Sequence, residues 1–127
     1  MTSLIVLAED DASLRALIAE ALGMDGHQVV QVATGSALIH AVRQIVVDGE
    51  RGGQLHLLIS DVRMPGLTGI EALKLVRDAE LRVPIILITA FSDLWTRAEA
   101  ARWGARLIDK PLELRVLRQA VREELLV

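Results

Sequence analysis

A short apolar run that ends in an acidic residue and a proline–glycine turn constrains the fold of this chain more than any other feature. The run lies in Leu55–Gly66, with the sequence LHLLISDVRMPG. A short apolar segment bounded by turn residues is typical of a strand that is buried on both faces, as the strands of parallel sheets are. Asp61 then lies where the strand gives way to a loop, and ligands of open α/β sheets bind at that edge.

Four more apolar runs alternate with segments of helical periodicity. Each intervening segment is long enough to return the chain for parallel pairing. The first, third and fourth runs are apolar throughout, so we expect them in the centre of a sheet, with the second and fifth at its edges. The pattern predicts an α/β fold with helices on both faces of a parallel five-stranded sheet. The predicted strands are Leu4–Ala8, His27–Ala33, the run ending at Asp61, Ile85–Ala90 and Ala105–Asp109.

Five helices are predicted from apolar residues that recur three or four positions apart. Gly23 and Gly26 close the first helix, and Gly104 stops the fourth. The polar segment Asp48–Gln54 is predicted as a flexible loop. The helices lie around Leu14–Leu22, around Leu38–Ile45, after a Thr68 cap, over Ser92–Trp103 and over Leu114–Leu125.

The composition narrows the class of protein. The 127 residues are 52% hydrophobic and 24% charged, as in an ordinary globular protein, so we expect a single domain over residues 1–127. The net charge of −3 argues against bulk, non-specific nucleic-acid binding, and we expect no direct binding of nucleic acid by this domain. Cysteine is absent, which excludes disulfides, and no apolar run reaches the roughly 18 residues of a membrane-spanning helix. We expect a cytoplasmic location without membrane attachment.

Charged and hydroxyl side chains follow the ends of four predicted strands. Carboxylates about 5 Å apart repel by roughly 3 kcal/mol at an effective dielectric of about 20. Such a cluster therefore raises a pKa or binds a hard cation such as Mg²⁺, which leaves room for a phosphate oxygen. With Lys110 as a fixed cation and Thr89 as a hydroxyl donor, the pocket is suited to place a phosphoryl group on Asp61. The full set is Glu9, Asp10 and Asp11, Asp61, Thr89 and Lys110.

Each of these residues also has an ordinary structural explanation. The acidic run would cap a helix, and Asp61 would form a turn. Thr89 would be a β-branched strand residue, and Lys110 would be a solvated loop lysine. These explanations are weaker when taken together, because all of the residues lie at the carboxyl ends of predicted strands. We therefore favour one convergent pocket.

Four stretches of the chain occur in a family-specific order, namely LAEDDASLR, LLISDVRMPGLTG, PIILITA and DKP. Together they resemble the response-regulator receiver domain, the phosphoacceptor domain of bacterial two-component signalling, over essentially the whole length. The resemblance implies a flavodoxin-like, doubly wound (βα)5 fold of strand order 2-1-3-4-5. It also implies that Asp61 accepts a phosphoryl group from a phosphohistidine of a sensor histidine kinase or phosphotransfer protein. Such a domain assists its own phosphorylation and slow dephosphorylation but does not turn over a substrate.

The resemblance also implies which acids form the metal site. An arginine stands five residues after the second acid of the pair in this family, so Arg15 makes Glu9 and Asp10 the pair. The alternative pair, Asp10 and Asp11, stays open. The implied metal is Mg²⁺, with Asp10 as a direct ligand and Glu9 acting indirectly.

The remaining implied roles lie at the other strand ends. Asp61 and the backbone carbonyl of Arg63 complete the protein's share of the Mg²⁺ ligands. A cis bond to Pro111 holds Lys110 inward. Phosphorylation is reported to a surface formed by helix four, strand five and helix five. The phosphate-binding and switch residues are Thr89, Ala90 and Lys110.

Two departures from the family pattern concern the output switch. Many relatives carry an aromatic residue three positions before the lysine, where this chain has Leu107. The segment Gly104–Lys110 is one residue shorter than usual, and counting forward from Gly104 gives Ile108, which is not aromatic either. Phe91 stands at a position that the family uses to tune the attacking water, and it predicts slow loss of phosphate from Asp61.

Other features of the last two helices have a structural and a functional interpretation. Trp103 is expected to pack against the domain and Trp95 to be partly exposed, and the alternative for both, an aromatic anchor for a partner, stays open. A basic stripe on helix five is ordinarily a solvated face, and the resemblance leaves a dimer or output contact open as the alternative. Its members are Arg115, Arg118 and Arg122.

Two enzyme or carrier classes fit less well. A phosphatase with an aspartyl nucleophile needs a second aspartate where this chain has Arg63, and a flavin carrier needs a phosphate loop where this chain has acids. A degenerate receiver that acts only as a phosphorylation-independent interaction module stays open, because Leu107 replaces the aromatic residue. The kinase, the downstream protein or output domain, and a homodimer through helix four, strand five and helix five also stay open.

Overall fold

The predicted sheet topology is confirmed. The computed structural model describes residues 2–49 and 54–126. The strands in these residues are β1 (Leu4–Ala8), β2 (Gln28–Val32), β3 (Leu57–Asp61), β4 (Ile85–Thr89) and β5 (Arg106–Asp109). They form one parallel sheet in the order β2-β1-β3-β4-β5, so the first, third and fourth strands are central as predicted.

Five helices connect and follow the strands, and none of the described helices is both long and apolar enough to cross a bilayer. The second helix runs further than the sequence indicated, because Asp48 and Gly49 belong to it rather than to the predicted loop. Residues 50–53 of that loop lie outside the described residues. The helices are α1 (Ala12–Met24), α2 (Gly35–Gly49), α3 (Gly69–Asp78), α4 (Leu94–Arg102) and α5 (Leu114–Leu125).

Two apolar cores lie on opposite faces of the sheet, because successive strand side chains point to opposite sides. In β1, Val6 packs into the core under α2 and α3, whereas Ile5 and Leu7 pack into the core under α1 and α5. All residues of β3 and β4 are buried. The two covered faces explain why these strands are apolar without alternation.

The loops at the carboxyl edge are held by close backbone packing. A Cβ atom on Gly69 would collide with the carbonyl oxygen of Asp61, and one on Gly35 would collide with Leu67. The N-terminal ends of α2 and α3 therefore lie directly against the chain that follows β3. Thr68 caps α3 as predicted, in a capping box with Glu71.

Candidate functional site

Three carboxylates from two adjacent strands meet at the carboxyl edge of the sheet. One oxygen atom each from Glu9, Asp10 and Asp61 lies within 4.8 Å of the others. Glu9 and Asp61 are buried, whereas Asp10 is exposed. The β1–β3 pairing brings Ala8 beside Ser60, so the acids that follow these residues are neighbours although they are distant along the chain.

Lys110 reaches the cluster from the end of β5. Its Nζ donates a hydrogen bond of 2.6 Å to Asp61 Oδ2 and lies 3.1 Å from Glu9 Oε1. The following peptide bond, to Pro111, is cis. The backbone N–H of Lys110 donates to the carbonyl of Thr89 at 2.7 Å, which fixes the lysine to the end of β4.

The pKa values of both Glu9 and Lys110 are raised in this cluster. Burial and the neighbouring Asp61 raise the pKa of Glu9 to about 7, although the Asp11 backbone N–H and Lys110 act in the opposite direction. For Lys110, burial disfavours the ammonium, but the hydrogen bond to Asp61 and the charges of Asp61 and Glu9 outweigh it and raise the pKa. The ammonium is therefore held between two carboxylates that compete for it.

The acids fit a hard divalent cation. Lys110 Nζ approaches Glu9 Oε1 without the alignment of a hydrogen bond, so this buried oxygen has no hydrogen-bond partner among the described residues. Three converging carboxylates, one of them exposed, supply oxygen ligands of the kind that Mg²⁺ takes. An added positive charge would also lower the mutual repulsion of these groups.

The acids after β1 divide into two roles. Asp11 is the N-cap of α1, and its Oδ1 accepts hydrogen bonds from the backbone N–H groups of Ser13 and Leu14 at 3.0 and 3.1 Å. Arg15 donates from Nη1 to the carbonyl oxygen of Glu9 at 2.8 Å. The structure thus gathers Glu9 and Asp10 with Asp61 and leaves Asp11 at the start of the helix.

Thr89 lies beside the pocket but is engaged elsewhere. Its hydroxyl donates to the Phe91 carbonyl at 3.1 Å and accepts from the Phe91 backbone N–H at 3.0 Å. Thr89 is buried, and Ala90 is exposed. Within the described residues the Thr89 hydroxyl makes no hydrogen bond to Asp61.

The chain after Asp61 is tied to the chain after Thr89. The backbone N–H of Arg63 donates to Asp61 Oδ1 at 2.9 Å. The Arg63 guanidinium carbon lies 5.4 Å from the centre of the Phe91 ring, in the range of a cation–π contact. The sequence did not predict this pair, because which loop side chains stack depends on backbone paths that two separate motifs do not specify.

Leu107 and Ile108, the two positions at which the family pattern would place an aromatic residue, are aliphatic and partly buried. Leu107 packs with the core under α2 and α3, and Ile108 with the core under α1 and α5. Trp103 packs against the former core and donates from Nε1 to Glu99 at 3.0 Å. Trp95 is exposed, with Lys74 over its ring, so both tryptophans lie as predicted.

Two arginines have structural roles that the sequence did not reveal. Arg77 donates to the backbone carbonyls of Leu81 (2.9 Å), Val83 (2.7 Å) and Trp103 (2.9 Å), which ties α3 to the end of α4. Arg118, from the predicted basic stripe, forms a two-pronged ion pair with Asp25, with one bond of 2.8 Å.

Known proteins resemble this chain in sequence over most of its length. The family model described as the response regulator receiver domain matches residues 5–122. Regulatory protein AtoC of Escherichia coli is 31% identical over 95% of this chain, which spans 25% of AtoC. Sporulation initiation phosphotransferase F of Bacillus subtilis is 28% identical, with coverage of 98% of this chain and 95% of the relative.

Solved structures share the fold. The chemotaxis protein CheY4 of Vibrio cholerae superposes with a TM-score of 0.83 at 23% identity, over 97% of this chain and 98% of that one. The receiver domain of the hybrid histidine kinase CckA superposes with a TM-score of 0.74 at 27% identity, over 97% and 99% of the two chains. The chain spans about a quarter of AtoC and nearly all of the smaller relatives.

Proposed function

Because the chain belongs to the response regulator receiver domain family, we propose that Asp61 accepts a phosphoryl group from a phosphohistidine of a sensor histidine kinase or phosphotransfer protein. The observation that carries the proposal is the 2.6 Å contact between Lys110 Nζ and Asp61 Oδ2 inside a cluster of three carboxylates. An aspartate in a purely structural turn needs neither a partly buried ammonium against it nor two neighbouring acids. The proposal includes a single domain over residues 1–127 and a cytoplasmic location.

The transfer forms one bond and breaks one. An Asp61 carboxylate oxygen bonds to phosphorus while the P–N bond to the donor imidazole breaks, and the electron pair of that bond returns to the imidazole nitrogen. The Lys110 ammonium, already against the Asp61 carboxylate, then lies beside the phosphoryl oxygens and stabilises their charge. Arg63 keeps the carboxylate oriented through its backbone N–H.

The acid pair holds the metal in this proposal. Asp10, Asp61 and the backbone carbonyl of Arg63 would bind Mg²⁺, and Glu9 would act indirectly. The bound ion supplies positive charge that neutralises the phosphoryl oxygens and offsets the repulsion of the acids.

Reporting of the phosphorylated state is assigned to Thr89, Ala90 and the surface of α4, β5 and α5. The Thr89 hydroxyl would exchange its bonds to the Phe91 backbone for a phosphoryl oxygen, which would shift the loop before α4. Leu107 contributes no aromatic ring to this change. A downstream protein or an output domain would bind the altered surface, or a second copy of the chain would bind it to form a homodimer. Direct nucleic-acid binding by this domain is not proposed.

Phe91 is proposed to slow the loss of phosphate. Its ring lies 5.4 Å from the guanidinium carbon of Arg63, two residues after Asp61, and in this proposal it hinders the water that attacks the phosphoryl group. The domain is accordingly a long-lived phosphoacceptor rather than a turnover enzyme. Rapid self-hydrolysis in purified, phosphatase-free protein would contradict this assignment.

The experiment is incubation with a small-molecule phosphodonor and Mg²⁺, read by intact mass. Wild-type protein should gain one phosphoryl group, and Asp61→Asn should gain none. Removal of Mg²⁺ by a chelator should abolish the gain, and Lys110→Ala should reduce it strongly.

The control separates this function from the degenerate receiver. Asp11→Asn keeps an N-cap for α1 and lies outside the proposed metal pair, so it should be phosphorylated like wild type. Equal incorporation in wild type and Asp61→Asn would remove Asp61 from its role. No incorporation in folded wild-type protein would favour the phosphorylation-independent interaction module.

A further inference from the structure

The carbonyl group of Glu9 is held by a side chain rather than by the sheet. The backbone N–H of Glu9 donates to the Val32 carbonyl at 3.1 Å, which extends the pairing of β1 with β2 by one bond. Since β2 ends at Val32, the ladder supplies no further donor for the Glu9 carbonyl. Arg15 supplies one instead, because its Nη1 donates to this oxygen at 2.8 Å.

Arg15 is placed for this bond by the first turn of α1. Its backbone N–H donates to the Asp11 carbonyl at 2.9 Å, and the residue is half-buried. A guanidinium ordinarily binds a carboxylate where one is near, and three acids follow one another in Glu9–Asp11. None of the seven ion pairs in the described part of the chain includes Arg15, however. Its guanidinium binds the main chain of the acidic run rather than the acids.

This bond holds one of the two peptide groups that flank Asp10. The Glu9 carbonyl belongs to the planar peptide group before Asp10, so a bond to its oxygen restricts the rotation of the whole group. The peptide group after Asp10 is held by the Asp11 N–H, which donates to Glu9 Oε2 at 3.2 Å. With both groups held, the backbone sets the direction in which the Asp10 side chain leaves the chain. That side chain places an oxygen within 4.8 Å of oxygens of Glu9 and Asp61.

We propose that Arg15 is a positioning residue of the magnesium site and directs the Asp10 carboxylate through the Glu9 carbonyl. The inference rests on the proposed phosphoacceptor function, in which Asp10 is a direct ligand of the ion. Groups that orient a metal ligand change the affinity for the metal without contacting it.

Position and charge predict opposite effects of removing the Arg15 guanidinium. A positive charge near the site repels Mg²⁺, so a role through charge alone predicts tighter binding when the charge is removed. A positioning role predicts weaker binding, because the Asp10 carboxylate loses its fixed direction. The sign of the change in affinity therefore separates the two.

The test is a titration of the whole chain with Mg²⁺, followed through the backbone amide signals of the pocket in nitrogen–proton correlation NMR spectra. Arg15→Met keeps an unbranched, helix-favouring side chain but has no donor. It should raise the dissociation constant for Mg²⁺ about 10-fold. It should also shift the amide signals of Asp10 and Asp11 in the metal-free protein, because the peptide groups around Asp10 are released.

Two further variants separate the hydrogen bond from the charge. Arg15→Lys keeps the charge and an N–H donor, and it should restore most of the affinity for Mg²⁺. Arg43→Met is the matched control, because it removes the same charge from an exposed position on α2. It should bind Mg²⁺ like wild type.

Unchanged or tighter Mg²⁺ binding in Arg15→Met would overturn the inference and leave the phosphoacceptor function standing. An absence of Mg²⁺ binding in wild type would overturn both. Thermal melting by circular dichroism shows whether each variant folds, and Arg15→Gln is a second neutral variant. Loss of the fold in both neutral variants would also overturn the inference, because Arg15 would then be required for folding rather than for the direction of Asp10.

Discussion

The two sides of the carboxylate pocket differ in whether they contact Asp61. On the β5 side, Lys110 is hydrogen-bonded to Asp61 and lies within 3.1 Å of Glu9. On the β4 side, Thr89 directs its hydroxyl to the Phe91 backbone and not to Asp61. The groups proposed to receive a phosphoryl group are therefore assembled beforehand, whereas the group proposed to report it is held by its own loop.

This difference follows from the forces at each side. An ammonium and two buried carboxylates attract strongly in a medium of low polarity, so they assemble without a ligand. A neutral hydroxyl gains only a modest hydrogen bond from a carboxylate that Lys110 already satisfies. We expect the charged side to dominate stability and the hydroxyl side to contribute little until new negative charge arrives.

The largest expected effect is that of Lys110→Ala without metal. Glu9 and Asp61 would keep their burial and lose their shared cation, which costs about 4 kcal/mol of unfolding free energy. Urea denaturation in a chelating buffer measures this change. Lys74→Ala is the control, because Lys74 is 3.8 Å from Glu99 in a more exposed pair, and its removal should cost under about 1 kcal/mol. Equal effects would show that the pocket is not preassembled.

The next effect is a pH dependence carried by Glu9. Its pKa is about 7 in the folded protein against an ordinary value of 4.5, so the folded state retains the proton longer than the unfolded state. Ionisation therefore destabilises the fold: the penalty is absent below about pH 4.5 and complete above about pH 7, and it amounts to about 3 kcal/mol. Urea denaturation across this range, without metal, should show wild type losing stability relative to Glu9→Gln as the pH rises. A constant difference between the two proteins would contradict the assignment.

A smaller effect is expected for Thr89→Val. The substitution keeps the shape but removes both hydrogen bonds to the Phe91 backbone, which should cost about 1 to 2 kcal/mol. Phosphorylation by a small-molecule donor should persist, since the charged side is intact. Denaturation and intact mass on the same sample check both parts, and a loss of phosphorylation as complete as in Asp61→Asn would mean that the two sides are not separable.

The smallest effect on stability is expected for Phe91→Ala. Phe91 is 62% exposed, and an exposed cation–π contact contributes about 0.5 to 1 kcal/mol. The lifetime of the phosphorylated protein should nevertheless shorten, because water gains access. A time course of phosphate loss measures this lifetime. Leu94→Ala is the control, because Leu94 is more exposed, at 87%, than Phe91. An unchanged lifetime would remove Phe91 from the proposed role.

The parts of the molecule that the sequence predicted well rest on local or strongly directional signals. Apolar runs such as Leu4–Ala8 and the cap at Thr68 are local, and the residues at the strand ends converge because parallel strands align their carboxyl edges. The predicted end of α2 was wrong. Asp48 and Gly49 are residue types typical of loops, but the preceding helix extends through them.

The contacts that the sequence did not predict join distant side chains through packing. Arg118 and Asp25 are 93 residues apart, and each alone reads as a solvated charge. The Arg63–Phe91 contact depends on two loop paths that no periodicity describes. Arg77 resembles any helix-surface arginine until the loop and the end of α4 are placed around it.

The three acceptors of Arg77 are all main-chain oxygens, so the sequence can change at the acceptor positions without loss of these hydrogen bonds. A carbonyl neither titrates nor changes with the identity of its residue, so substitutions at Leu81, Val83 or Trp103 leave the acceptor set in place. Burial lowers the pKa of Arg77, yet a guanidinium stays charged throughout the range in which proteins live. These hydrogen bonds between α3 and the end of α4 are thus insensitive to pH and to substitution of the acceptor residues, and they depend only on the side chain of Arg77.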